Sequence, residues 1–594
     1  MQKYSVNQYL ISNILSNVQT GQIAIPEIQR PFVWDSVKVR DLMDSLYKGY
    51  PIGYIITWKN PDVRLKDGSK SAGKQILIDG QQRVTALRAA ILGESVINKE
   101  YKEIKIKISF NPRTSEFATL TPAISNDSTW IADISDFLRS EDLFKVVRDY
   151  LSANPSVDQK TTQDNFQQLL SIKSKQIGCI DLMEDLDIET VTEIFIRINS
   201  KGVVLSQADF AMSKIASMSD RGVNLRKLVD YFCHLSQEPK FYKHIKDNDI
   251  EFGNTDFLPS IAWLQSANDA LYDPEYTDVI RVAFTKNFQR GKLSDLVSLL
   301  SGRNFETREY EDEIAQNTLA KLESGVLEFV NQVNFERFIM IIKSAGFVDS
   351  SLISSGAALN FSYILYLYLK EQKMNPGDIE HYVKRWFVLA QLRGRYSGSS
   401  ESIYDYDIKK IAELGIVEYL KTTESSELSD GFWDVGLVSE LDKAIISSPF
   451  LSVFFASQVH GNDPGFLSTD ITVRDMIIHR GDIHHLFPKK YLQQKYQNRS
   501  DYNQIANFVY AQQEINIKIA DKAPKEYFGQ LKEQIETGNL RYGDIIDNSK
   551  FEDNLSRHCI PKEIMGMELE DYPKFLELRR ILMAKKIKEY YFSL

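Results

Sequence analysis

Eight histidines serve 594 residues, and two of them, His484 and His485, are adjacent in the segment GDIHHLFPKKYL. Neighbours on a strand point to opposite faces, so a single core layer cannot bury both. An imidazole titrates near neutrality, which suits it to take a proton from water without large tuning. Asn507 follows His485 by 22 residues and Asn516 comes 9 later. Hydrolysis of a phosphodiester calls for such a base, plus a cation to neutralise charge on the phosphate and the leaving oxygen. The rival reading is a surface or packing histidine pair. Local charge weighs against it: between Val473 and Arg499, Arg474, Arg480, Lys489, Lys490, Lys495 and Arg499 face only Asp475 and Asp482, a local +4 in a chain of net charge −10. A second run, Lys574, Arg579, Arg580, Lys585, Lys586 and Lys588, faces three acids, and suits either phosphate contacts or a solvated helix face. A structural zinc site fails for want of nearby thiolates.

The other chemical candidate is Asp79, Gly80, Gln81, Gln82 and Arg83, placed between a short strand pattern and a helical one. Gly80 can take a backbone angle closed to other residues, and a helix starting there aims its free N–H groups at whatever lies over the turn. An anion fits that position. Arg83 adds a planar fork of donors, and Asp79 could hold a divalent ion or orient a water. A plain capped helix, with Asp79 as N-cap and Arg83 on the surface, explains the same residues. Upstream, IPEIQRPFVW sets Gln29 and Arg30 beside rings and prolines that could sandwich a base or pack a core corner. Gly68 to Lys74, GSKSAGK, imitates a phosphate-binding P-loop. However, Gln75 stands where a Ser or Thr is needed, and a strand follows where a helix must.

Particular elements must position these groups. Asp35 is placed to cap a helix carrying Val39, Leu42, Met43 and Leu46 on one face, with Gly49 and Pro51 as the stop. Gln75 to Ile78 reads as a strand, and Val84, Leu87 and Ile91 as a helix face. Ile104, Ile106, Ile108 and Phe110 alternate with lysines as one half-buried strand. Ile188, Val191, Ile194, Phe195 and Ile198 mark a buried helix that runs into Asn199, and Ser206 with Asp209 has capping-box spacing. Beyond Met218 the pattern is mainly helical without a strict repeat. Ser350 to Leu369 is uncharged but holds Asn360, Gly356 and serines, which fits a buried core helix better than a membrane span. Arg393 to Ser402, RGRYSGSSES, reads as a loop or hinge.

At about 150 residues per domain the length implies roughly four compact units. Lys and Arg number 71, Asp and Glu 81; charged residues make 26% and hydrophobic ones 43%, the composition of an ordinary soluble protein. Three dispersed cysteines, Cys179, Cys233 and Cys559, argue for a reducing compartment, and the amino terminus lacks the apolar stretch of a secretory signal.

IPEIQRPFVW, LIDGQQRVTAL and FIRINSKGVVLSQADF, followed by HHLFP and its asparagines, resemble the GmrSD family of type IV, modification-dependent restriction endonucleases. The histidine pair with Asn507 and Asn516 is similar in order and spacing to an HNH, or ββα-metal, nuclease site. The resemblance implies a multidomain α+β chain: a ParB/sulfiredoxin-like α/β nucleotidase domain over residues 1–218, a helical connector over 219–440 and an HNH nuclease domain over 441–594. It implies nucleotide-site roles for Gln29, Arg30, Asp79, Gly80, Gln81, Gln82 and Arg83, with Asn199 nearby and Asp79 catalytic. In the nuclease it implies His485 as base, His484 and Asn516 as metal ligands, and Asn507 orienting the base or bracing the loop. Arg480, Lys489, Lys490 and Lys495 would contact DNA. His484 stands where relatives often carry Asp, which leaves the ion open, with Mg²⁺ or Mn²⁺ first and softer metals behind. The expected activity is endonucleolytic cleavage of double-stranded phage or modified DNA, controlled by hydrolysis of GTP, UTP or ATP, in a cytoplasmic protein without a membrane partner and with the option of homodimerisation. The alternative is a non-catalytic DNA-binding or modification-sensing protein with a decayed nuclease.

Overall fold

The computed structural model describes the chain apart from residues 1–2, 25–31, 33, 60–74, 99–102, 185, 187–190, 192–193, 195–206, 267–270, 443–446 and 480. Gln29, Arg30, Asn199, Arg480 and the GSKSAGK segment therefore lie outside the described residues. Two compact units divide the chain, Met1–Arg226 and Lys227–Leu594.

The first unit is built on a five-stranded mixed sheet. Its strands are β1 (Tyr4–Leu10), β2 (Ile23–Ala24), β3 (Tyr54–Lys59), β4 (Gln75–Asp79) and, after the short pairs β5 (Val96–Ile97) with β6 (Glu103–Ile104) and β7 (Ile108–Asn111) with β8 (Glu116–Thr119), β9 (Gln176–Leu182). The order across the sheet is β1-β9-β3-β4-β2. Helices α1 (Ile11–Gln19), α2 (Ser36–Lys48) and α3 (Gln81–Leu92) cover one face, where Ile14, Val39, Leu46, Val84 and Leu87 meet Ile55, Leu77 and Ile177 in the main core. Alternation sends Ile56, Trp58 and Leu182 to the opposite face, into a smaller core with Val191. The side chain of Asp35 accepts the Lys38 N–H at 2.8 Å, and Gly49 ends α2 at φ 74°, as its capping residues predict. The Ile104 to Phe110 alternation does not make one strand, because β6 and β7 pair with different partners and residues 105–107 between them belong to no strand.

The second unit is mainly helical. The uncharged stretch becomes a turn, Ser350–Leu352, and a helix, Gly356–Glu371, with every residue from Ala358 to Leu369 buried. No described helix is long and apolar enough to cross a membrane. The Gly- and Ser-rich run after Arg393 is a loop but not a soft one, since Arg395 is held by Asp407 and Glu427 and Tyr396 also bonds Asp407. The helical middle and the last section, which the sequence reading separates at residue 440, pack as one unit. Gly346, at φ 99°, lets the chain approach the helix Pro449–His460 so closely that a Cβ would sit 2.1 Å from the Ala456 carbonyl oxygen. Near the carboxyl end, β10 (Asp482–His485) pairs antiparallel with β11 (Phe508–Ala511), and the helix Gln513–Ile519 follows.

Candidate active site

Each unit carries one candidate site. In the first, Asp79 ends β4 and Gly80 turns the chain at φ 91°, backbone that Gly adopts at little cost. Ile55 packs against the missing side chain: a Cβ on Gly80 would lie 2.6 Å from Ile55 Cγ2. The N-cap of α3 is thus Gly80 and not Asp79, and no side-chain cap bond is made there among the described residues. Arg83 Nη1 donates to the Tyr54 carbonyl at 2.6 Å, and its guanidinium lies over Gly53. Burial lowers the Arg83 pKa while Asp79 acts in the opposite sense. Gln81 Nε2 donates to the Leu77 carbonyl at 3.4 Å, and Asp79, Gln81 and Gln82 are half-buried. The turn therefore offers a half-buried carboxylate, an uncapped helix start and a guanidinium with donors to spare, a set able to hold an anion and orient a water.

In the second unit the hairpin and the helix bring both histidines beside carboxamides. His484, 2% exposed, has Nδ1 2.6 Å from Asn516 Oδ1. Because that oxygen only accepts, Nδ1 carries the proton and Nε2 keeps its lone pair. Nε2 is buried and finds no partner among the described residues. Burial lowers the His484 pKa to about 4, and the bond it donates to Asn516 offsets part of this. The ring of Phe466 stacks on it with centroids 6.3 Å apart.

His485 points the other way. Its Nε2 lies 3.0 Å from Asn503 Oδ1, and its ring meets Phe508 edge-on. By the same logic Nε2 donates and Nδ1 is left with a lone pair. Burial lowers its pKa, the Asn503 bond raises it and Lys489 lowers it further. Asn507 is fully buried and serves the loop: its Oδ1 accepts the Phe487 N–H at 2.8 Å, while Nδ2 donates to the carbonyls of Phe487 and Tyr502. Of the two roles foreseen for Asn507, its bonds are those of a loop brace, and it is Asn503 that bonds His485. Asn503 is the residue that spacing misses; its signal is a carboxamide four positions before Asn507 in a short polar turn.

Among the described residues no three His, Cys, Asp or Glu side chains gather as a metal cage. The candidate donors for an ion are the His484 imidazole and the Asn516 carboxamide, both neutral; Nδ1 and Oδ1 already bond each other and Nε2 faces away from Asn516, so an ion shared by both would have to displace the Nδ1 proton. A buried nitrogen lone pair without a partner suits a borderline transition ion better than Mg²⁺, which favours carboxylates.

The basic residues divide. Lys490 is exposed, and Lys489 is exposed with its ammonium 5.5 Å from the Tyr502 ring centroid. Lys495 is paired with Glu570. The second basic run is mostly engaged: Arg579 is buried, Arg580 pairs with Asp442, Lys586 with Asp463 and Lys588 with Asp434. A count of charges had left phosphate contacts open there; the packing commits these groups to the protein itself.

Residues 11–216 match the family described as GmrSD restriction endonuclease, N-terminal domain. The chain is also similar to the uncharacterized protein MJ0686 of Methanocaldococcus jannaschii, 21% identical over an alignment covering 97% of this chain and 98% of that protein. The family match, which spans α1 to α3 and the Asp79 turn between them, supports kinship with the GmrSD type of restriction endonuclease.

Proposed function

We propose that the chain is a DNA endonuclease of the GmrSD-like restriction type, in which nucleoside triphosphate hydrolysis at the Asp79 turn governs metal-dependent phosphodiester hydrolysis at the histidine pair. The observation that carries the reading is the strand, strand and helix order of β10, β11 and Gln513–Ile519, which sets His484 against Asn516 and His485 against Asn503. That is the order of an HNH, or ββα-metal, motif. His484, through Nδ1 once its proton is displaced, and Asn516 would hold a divalent ion, which when bound would neutralise charge on the scissile phosphate. His485, held by Asn503, takes a proton from the attacking water on Nδ1 as the new P–O bond forms and the sugar oxygen leaves. Lys489 and Lys490 meet the DNA backbone. In the first unit the open start of α3 and Arg83 bind the nucleotide phosphates, and Asp79 orients the attacking water.

The test is to incubate the purified chain with plasmid and with modified phage DNAs, adding GTP, UTP or ATP in turn with Mg²⁺, Mn²⁺, Ni²⁺ or Zn²⁺. Phosphate release and strand breaks are both scored. Nucleotide-dependent breaks support the reading; phosphate release without breaks under every ion refutes its nuclease half. One observation favours a second reading, a non-catalytic DNA binder with a decayed nuclease: among the described residues no group of three His, Cys, Asp or Glu side chains gathers as a metal site. Intact plasmid together with a stable DNA complex would select it.

A further inference from the structure

Arg579 lies in the last helix, Tyr572–Ser593, fully buried, and every acceptor it meets among the described residues is a main-chain carbonyl. Nη1 donates to the Ala506 oxygen at 2.7 Å, Nη2 to that of Phe508 at 2.9 Å, and Nη2 also to that of His558 at 3.1 Å. Burial lowers its pKa to about 10, so it remains a cation at neutral pH. A buried charge without a carboxylate is costly, and a lone Lys or Gln could not span these acceptors as a guanidinium fork does.

What the fork grips lies on either side of Asn507. Ala506 and Phe508 flank the carboxamide that holds both backbone groups of Phe487, and the Asn507 carbonyl accepts the Leu486 N–H at 2.9 Å. Leu486 and Phe487 directly follow His485. The same helix supports this segment at further points: Arg580 Nη2 donates to Gln504 Oε1 at 3.1 Å, and the Phe487 ring packs between Tyr572 and Phe575. We infer that Arg579 is a positioning residue for the nuclease, fixing the 506–508 backbone so that Asn507 registers the chain after His485 and holds the imidazole at its working angle. This rests on the function proposed above for the histidine pair. Arg579 touches neither substrate nor ion. Its effect passes through two carbonyls and one carboxamide.

The experiment uses the full chain with Arg579→Lys, which keeps charge without the fork, and Arg579→Met, which keeps length and removes the buried charge. Amide hydrogen exchange is followed in the 483–490 segment and, as reference, in the helix Gly356–Glu371, beside steady-state plasmid nicking. The expected result is a folded protein with faster exchange at 483–490 only, and a kcat for nicking lowered by about 100-fold with KM for DNA unchanged, the cost of misplacing a reacting group by about 1 Å. Lys585→Gln, on the exposed side of the same helix, leaves both readouts unchanged. A folded variant with unaltered exchange at 483–490, or with unaltered kcat, overturns the inference. So does failure of both variants to fold, since Arg579 would then determine the fold alone. If the unmodified chain does not nick DNA, the proposed function fails, while exchange still decides whether Arg579 holds the loop.

Discussion

At the Asp79 turn the groups open to a ligand are charged or belong to the backbone: a carboxylate, a guanidinium and the uncapped amides of α3. Around the histidine pair, His484, His485, Asn503, Asn507 and Asn516 are all uncharged when the imidazoles are neutral, as burial favours. The first arrangement carries the charge needed to meet a phosphate, and little side-chain support is required because a glycine turn between strand and helix makes the geometry. The histidines and carboxamides of the second carry no charge of their own, and its geometry rests on carboxamides that pin individual loops. A site made by backbone tolerates changes in its side chains better than one made by side-chain clamps, whereas the clamped site is the more sensitive to single truncations.

The largest test of this contrast is a one-way dissociation. His485→Ala should lower DNA cleavage by about 1,000-fold, within the range for a lost general base, and leave phosphate release intact. Asp79→Ala should remove phosphate release and, with it, the nucleotide-dependent strand breaks. If folded His485→Ala also loses phosphate release, or folded Asp79→Ala cuts DNA as before, the proposed control of one site by the other is wrong.

Next comes stability. Asn507→Ala strips the partner from a buried N–H and two carbonyls and should destabilise the second unit by about 3 kcal/mol. Gly80→Ala forces a Cβ against Ile55 at positive φ and should cost the first unit about as much. Gln82→Ala, at a half-buried side chain of the same turn, should cost under about 1 kcal/mol, and urea unfolding followed in each unit compares all three.

Acid separates the units further, because all eight histidines lie beyond Arg226. Burial lowers His484 to about 4 and His558 to about 3. Between those values and the unfolded value near 6.5, the unfolded chain binds protons that the native second unit refuses. Stability from each group is therefore complete above pH 6.5 and falls by about 1.4 kcal/mol per pH unit as acid is added, levelling below the folded value. Unfolding midpoints from pH 7 to 5 should drop in the second unit, and His558→Gln should reduce the slope. The smallest effect belongs to Lys489→Gln. DNA binding should weaken with a salt slope shallower by about 1, and the acid limb of nicking should move to slightly higher pH because Lys489 no longer lowers the His485 pKa.

The strand, turn and helix around Asp79 are legible in the sequence because local rules govern them: a β-rich run, a glycine that alone accepts the required φ, and apolar residues at helical spacing. The helix from Asp35 to Gly49 is legible for the same reason. The Ile104 to Phe110 alternation misleads because a period of two reports an extended chain and is silent about whether a partner strand lies beside every residue. Composition misleads at RGRYSGSSES, where Asp407 and Glu427, distant in sequence, lock Arg395 in place.

The amino-acid order alone determines which groups with useful chemistry exist, that a strand, a turn at Gly80 and a helix follow one another around Asp79, and that His484 and His485 must face apart. Only the tertiary structure decides that Asn503 holds His485, that Asn507 braces the following loop, and that Arg579, outwardly one more base in a cationic helix, is sealed inside to hold that brace. Burial and long-range partners arise from the packing of elements far apart in the chain, and neither spacing nor a charge count contains them.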